Sequence, residues 1–200
     1  MIALTRLLAP VALAAALGAC SLGGLLGGGK PPTTLFTLTP EAPDPGAVTR
    51  SVNAGQAVTI GTPAAAKELR TVRVPVQLTP TDIQYVTDMQ WVDTPDRLFQ
   101  ALVEETVRRT TSRVVLDPQQ SALDPGLVVS GELQRFGYDA ATGQVMVVYD
   151  AQLSTAGGTH VEARRFTASA PADGTPRSVG PALNHAANQV ATEVARWIAG

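Results

Sequence analysis

One cysteine occurs among the 200 residues, at position 20, and its neighbours point to the first chemistry the chain could undergo. Leu17-Gly18-Ala19-Cys20 sets small residues directly before a thiol, the lipobox pattern in which the cysteine is acylated through a thioether and the chain is cut before it. Upstream, Arg6 and the apolar run from Leu7 to Leu17 have the layout of a secretory signal: a positive n-region, then an h-region. The competing reading is a spanning anchor, because no charge occurs between Arg6 and Lys30. Gly23, Gly24, Gly27, Gly28 and Gly29 interrupt that stretch, whereas a spanning helix needs ~20 solidly apolar residues. Residues 1–19 are therefore expected to be a lipoprotein signal peptide and Cys20 the lipidated first residue. Each buried methylene of a chain such as palmitate contributes roughly 0.8 kcal/mol, and two or more chains anchor stably. Ser21, where an Asp would favour inner-membrane retention, points to the outer membrane, with the remainder of the chain in the periplasm.

Other residues with chemical potential do not converge. Gly24-Leu-Leu-Gly-Gly-Gly29-Lys30 has the spacing of a phosphate-binding loop, but Pro31 stands where a Ser or Thr would hold Mg²⁺, and no strand precedes it. His160 and His185 are the only histidines, and neither has a Cys or carboxylate cluster at metal-ligand spacing. Glu104 and Glu105 are neighbours on a helix pattern and point in different directions, unlike a catalytic dyad. No Ser lies in a G-x-S-x-G elbow. Charged residues make up 16% with a net charge of −2, which argues against a nucleic-acid surface. No catalytic residue, cofactor or metal site is expected, and a single cysteine forms no internal disulfide.

Trp91 and Trp197 are the two tryptophans. Trp197 continues an apolar helical stripe, which favours the core. Trp91 precedes a helix start; packing back on that helix as a hydrophobic staple is favoured, and an exposed anchor for a partner is the alternative.

The elements that must position these residues follow from periodicity. Residues 20–34 are Gly-rich and then Pro-Pro, a flexible tether. Leu35–Leu38, Gln56–Ile60, Val72–Val76 and Ile83–Val86 read as strands. Thr94-Pro95-Asp96 reads as a helix start, with Thr at the N-cap and Pro at the first helical position. Leu98, Phe99, Leu102, Val103 and Val107 form one face of that helix. The period then becomes two. Val114–Leu116, Leu127–Phe136, Val145–Leu153 and Thr159–Ala168 read as strands, the last three an antiparallel meander with turns at Ala141–Gly143 and Gly157–Gly158. A final helix over about Val179–Ile198 carries Leu183, Ala187, Val190, Val194 and Trp197 at helical spacing. The expected class is α+β: an antiparallel or mixed sheet covered by two main helices, forming one domain over 35–200.

With these elements in order, the mature chain resembles the ABC-type transport auxiliary lipoproteins, the PqiC-like group. The residues that carry the likeness are Leu35-Phe-Thr-Leu38, Val72-Arg-Val-Pro-Val76, Trp91-Val-Asp-Thr-Pro95 running into Leu98, Gly131-Glu-Leu-Gln-Arg-Phe136, Arg164-Arg-Phe166 and the closing Ala-rich helix. It departs from the family at Ala64-Ala-Ala-Lys-Glu-Leu-Arg70. The resemblance implies a non-enzymatic, outer-membrane-anchored accessory on the periplasmic face, partnered with an MCE-domain protein and, through it, an ABC permease and ATPase. Such systems move lipids or other hydrophobic molecules between membranes and support envelope integrity. A pilotin-like assembly lipoprotein is the alternative and an envelope hydrolase the third reading. Cargo, transport direction and the question of a homo-oligomer stay open.

Cys20→Ser is expected to abolish incorporation of labelled palmitate and to leave an uncleaved precursor, because a serine oxygen cannot form the thioether. Continued labelling of that variant would contradict the lipoprotein reading.

Overall fold

Strand-forming residues between Pro, Gly and Asp turn signals place most of the sheet, and the computed structural model describes residues 34–118, 126–155 and 160–200. Eight strands and two α-helices follow one another: β1 (Val58–Ile60), β2 (Ala64–Ala65), β3 (Arg73–Thr79), β4 (Asp82–Gln90), α1 (Pro95–Thr110), β5 (Val115–Leu116), β6 (Leu127–Asp139), β7 (Gln144–Ser154), β8 (Val161–Pro171) and α2 (Pro176–Ala199). The domain is α+β, with a mixed sheet.

β6 is the spine of the sheet. One edge pairs antiparallel with β7 from Val128–Ser154 to Asp139–Gln144, with a bulge between Leu133 and Arg135. The other edge is shared by three short parallel partners in succession: β1 beside Leu127–Val129, β2 beside Glu132–Leu133 and β3 beside Tyr138–Asp139. β5 extends the sheet beyond β1, β4 lies antiparallel to β3, and β8 lies antiparallel to β7. The meander β6–β7–β8 thus has the expected order, and its first turn closes at Gly143 with φ 66°. The Gly157–Gly158 turn lies outside the described residues.

The period-two pattern of β7 sends Val145, Val147, Tyr149 and Ala151 to the buried face, with Val129, Leu133 and Phe136 of β6 and Phe166 and Ala170 of β8. α2 packs over β7 and β8, and α1 lies against α2. Leu183, Ala187, Val190 and Val194 of α2 are fully buried, as are Phe99, Leu102, Val103 and Val107 of α1. Each large apolar side chain sealed between helix and sheet contributes about 1.5–3 kcal/mol.

Several boundaries differ from expectation for local reasons. Leu35–Leu38 does not form a strand; Phe36 makes a single parallel bridge to Trp91. α2 begins at Pro176, a turn earlier than periodicity implied, because Pro is tolerated at the first helical position. Thr94 sits at the N-cap in extended backbone, but its side chain makes no capping bond. β4, at the sheet edge, departs from regular pairing between Tyr85 and Gln90, and there Asp88 adopts φ 56°. Such irregularity discourages another strand from pairing with an edge.

Two glycines on β6 permit close approach. A Cβ at Gly131 would collide with the Asp150 carbonyl oxygen, and one at Gly137 with the Pro75 carbonyl oxygen and ring. Gly137→Ala is therefore expected to lower stability by about 1–3 kcal/mol in thermal or denaturant unfolding. Gly55→Ala, where a Cβ meets nothing within 4 Å, should change the midpoint little; equal behaviour of the two variants would contradict the packing argument.

Candidate interaction surface

The residues singled out by sequence are scattered by the fold. Cys20 and Ser21 lie outside the described residues. Trp91 is 1% exposed, so its reading as a partner contact is corrected: a side chain sealed in the core offers no anchor to another protein. Its ring stacks edge-on against Phe136 of β6 at 5.7 Å and against Phe36 at 6.4 Å between centroids. Exposed apolar residues at this corner are its neighbour Val92 and Leu35, beside Phe36. Trp197 is half-buried; it packs beside Phe166 and donates from Nε1 to Glu162 Oε2 at 3.0 Å.

The two histidines are on separate elements with separate carboxylates. His160 Nε2 lies 2.8 Å from Glu162, and His185 Nδ1 lies 3.1 Å from Glu41. Among the described residues no group of three or more His, Cys, Asp or Glu side chains is placed to hold a metal ion, and no helix is long and apolar enough to cross a membrane. Glu104 and Glu105 accept from Arg108 and Arg109 one turn along α1, at 3.0 and 2.7 Å. They are helix-face ion pairs.

What the fold does assemble is a clasp between the first described segment and the helical layer. Phe36 N–H donates to the Gln90 carbonyl at 2.9 Å, and Val92 N–H to the Phe36 carbonyl at 2.9 Å. The Phe36 ring lies so close to Gly180 of α2 that a Cβ there would collide with it. Farther along, α2 reads the extended backbone with side chains. Thr39 N–H donates to Asn184 Oδ1 and Glu41 N–H to Asn188 Oδ1, both at 2.8 Å, and Asn188 Nδ2 donates to the Thr39 carbonyl at 2.9 Å. Glu41 meets His185, and Arg109 of α1 donates to the Ala42 carbonyl at 2.8 Å. Asn184 and Asn188 stand one helical turn apart and therefore share a face. Sequence reasoning missed them; the available signal was a polar Asn188 amid Ala186, Ala187, Val190 and Ala191, where only a hydrogen-bonded amide belongs. Beside the clasp an open groove of about 660 Å³ runs between α2 and β8, lined by Glu41, Asn188, Gln189, Thr192, Thr167 and Ser169 among others.

Ion pairs and buried polar groups also occur within the sheet. Arg165 of β8 grips Asp150 of β7 with two bonds of 2.6 and 2.7 Å, which holds the Asp150 carboxyl below its ordinary range. Asp139 at the end of β6 is also lowered: partial burial opposes its charge but is outweighed by the Thr142 and Ala141 amides and by Arg135. Tyr149 is pushed well above its ordinary value by burial, and its hydroxyl donates to the Ser130 carbonyl at 3.2 Å.

This α+β arrangement is shared with solved structures. A protein of Xanthomonas campestris assigned to the DUF330 family aligns with a TM-score of 0.68 at 20% identity, covering 82% of this chain and 94% of that one. An uncharacterized protein aligns with a TM-score of 0.61 at 15% identity, covering 72% and 92%. No curated protein matches the chain. The model of the ABC-type transport auxiliary lipoprotein component matches residues 36–195, and the chain belongs to that family.

Because Trp91 fills the core, Trp91→Ala is expected to cost about 3–5 kcal/mol in unfolding. Its buried Nε1 has no partner among the described residues, so Trp91→Phe should cost clearly less. Equal stability of Trp91→Ala and the parent would contradict the burial.

Proposed function

We propose that this chain is the lipid-anchored, non-enzymatic accessory of an ABC transport system that works with an MCE-domain protein. The system would carry lipids or other hydrophobic molecules between the two membranes and support envelope integrity. The observation that carries the reading is the family match beginning at Phe36, with a lipobox cysteine a short distance upstream at position 20. In this reading residues 1–19 are the signal peptide, Cys20 carries the lipid, Ser21 directs the chain to the periplasmic face of the outer membrane, and 20–34 form the tether.

The partner contact belongs on exposed surface, which moves attention from Trp91 to the helical layer and its groove. Anchoring raises the local concentration for such a contact, so a modest interface is sufficiently occupied.

The test is recovery of the MCE-domain protein with the full lipidated chain from gently solubilised membranes, together with density fractionation of Ser21→Asp. Co-purification of the MCE protein and a shift of Ser21→Asp toward the inner membrane are the expected results. Recovery of an outer-membrane barrel or secretin in its place would move the reading to assembly. An unmoved Ser21→Asp would remove Ser21 as the sorting residue.

A further inference from the structure

We propose that the outer edge of β8 pairs antiparallel with the same edge of a second copy, about a two-fold axis at Ala163, so that two sheets join into one. The inference stands apart from the transport reading.

β8 pairs on one side with β7, and among the described residues no strand lies on its other side. The ladder shows which backbone groups are left over. The His160 carbonyl accepts from Thr155 N–H, and Ala172 N–H donates to the Gly143 carbonyl. Between those bonds the pairing runs from Ser154–Val161 to Gln144–Pro171 without a register shift. Even-numbered residues of β8 therefore bond to β7. Val161, Ala163, Arg165, Thr167 and Ser169 turn their N–H and carbonyl groups outward. Pro171, with no N–H to offer, stands at the end of that row. The edge at β4 is different, because it breaks register and carries Asp88 at φ 56°. A long, regular, open edge is a template for another strand. The groove between α2 and β8, with Thr167 and Ser169 in its wall, leaves room for one to approach.

The side chains select a second copy as the occupant. Glu162 and Arg164 project on the helical side of the sheet, where Glu162 accepts from Trp197 and Arg164 lies 5.1 Å over the Phe166 ring. Arg164 is exposed and has no ion-pair partner among the described residues. In an antiparallel pair centred on Ala163, Glu162 of each copy stands opposite Arg164 of the other. Val161, 60% exposed, stands opposite Arg165, whose apolar stem covers it. Centring the pair on Arg164 or Arg165 would set like charges face to face, which is destabilising. The Ala163 register forms about six backbone hydrogen bonds and closes as a two-fold dimer.

The test uses the full chain purified in detergent. In a hydrogen-bonded antiparallel pair, opposite Cα atoms lie about 5.5 Å apart, within disulfide reach. Under mild oxidation Ala163→Cys should therefore give a disulfide-linked dimer well above the background of the parent, whose only cysteine is Cys20. Gln152, the β7 partner of Ala163, serves as control. It would lie about 14 Å from its copy, three strand spacings away, so Gln152→Cys should stay at background. A link as strong in Gln152→Cys as in Ala163→Cys, or none in Ala163→Cys, would overturn the proposal. The second measurement is dimer dissociation by sedimentation. Arg164→Glu should weaken association at least about tenfold, because both cross-copy pairs become like-charged. The swap Glu162→Arg/Arg164→Glu should restore it. Association of Arg164→Glu equal to the parent would overturn the register, and the Ala163→Cys link decides the geometry should the swapped chain fold poorly.

Discussion

A long central strand has two rows of backbone donors and acceptors to satisfy, and in this domain that obligation falls on β6. Its thirteen residues meet it unequally. β7 covers one edge with a single long partner, whereas the other edge is divided among three short segments drawn from the first half of the chain. The division explains why the N-terminal half is broken into small pieces joined by tight turns. Each piece has to arrive at one stretch of β6 and leave room for the next. Gly137 is the cost of that crowding, since β6 lacks a side chain where the Pro75 backbone of β3 comes closest; Gly131 serves the same end against β7. The two helices then seal the apolar face of the sheet, while cross-strand ion pairs such as Arg165–Asp150 tie its strands together.

The same economy governs the helical layer. α2 buries Leu183, Ala187, Val190 and Val194 against the sheet and keeps Asn184, His185 and Asn188 for the segment lying across it. One helix therefore serves as core lid and as docking rail. That dual role accounts for a buried asparagine in an otherwise apolar stretch, because each polar atom of Asn188 has a partner. A buried amide so satisfied specifies one register of the segment against the helix, which apolar packing alone would leave loose.

Much of the fold was legible in the residues. Alternation in Val145–Leu153 and helical spacing in Leu98–Val107 and Leu183–Val194 placed the buried faces correctly, because burial on one side leaves a period that local sequence retains. What local sequence does not retain is long-range pairing. Nothing in Ala64–Ala65 indicates that it will pair beside Glu132 and Leu133, and the parallel order of β1, β2 and β3 on one edge follows from tertiary fit. The surface was less legible for a related reason. Tryptophan is equally at home in a core and at an interface, and only the contacts of Trp91 with Phe36 and Phe136 decide between them. The clasp was illegible because its recognition runs largely through backbone atoms of Thr39, Glu41 and Ala42, which carry no sequence signature.

The direction in which the chain enters the clasp has a mechanical consequence. A pull on the chain ahead of residue 34 meets Phe36 first, then Thr39, then Glu41 and Ala42, so the contacts are loaded one after another, as in a zipper. Contacts arranged in such a row yield singly under load, whereas the bonds of the β6–β7 ladder share it.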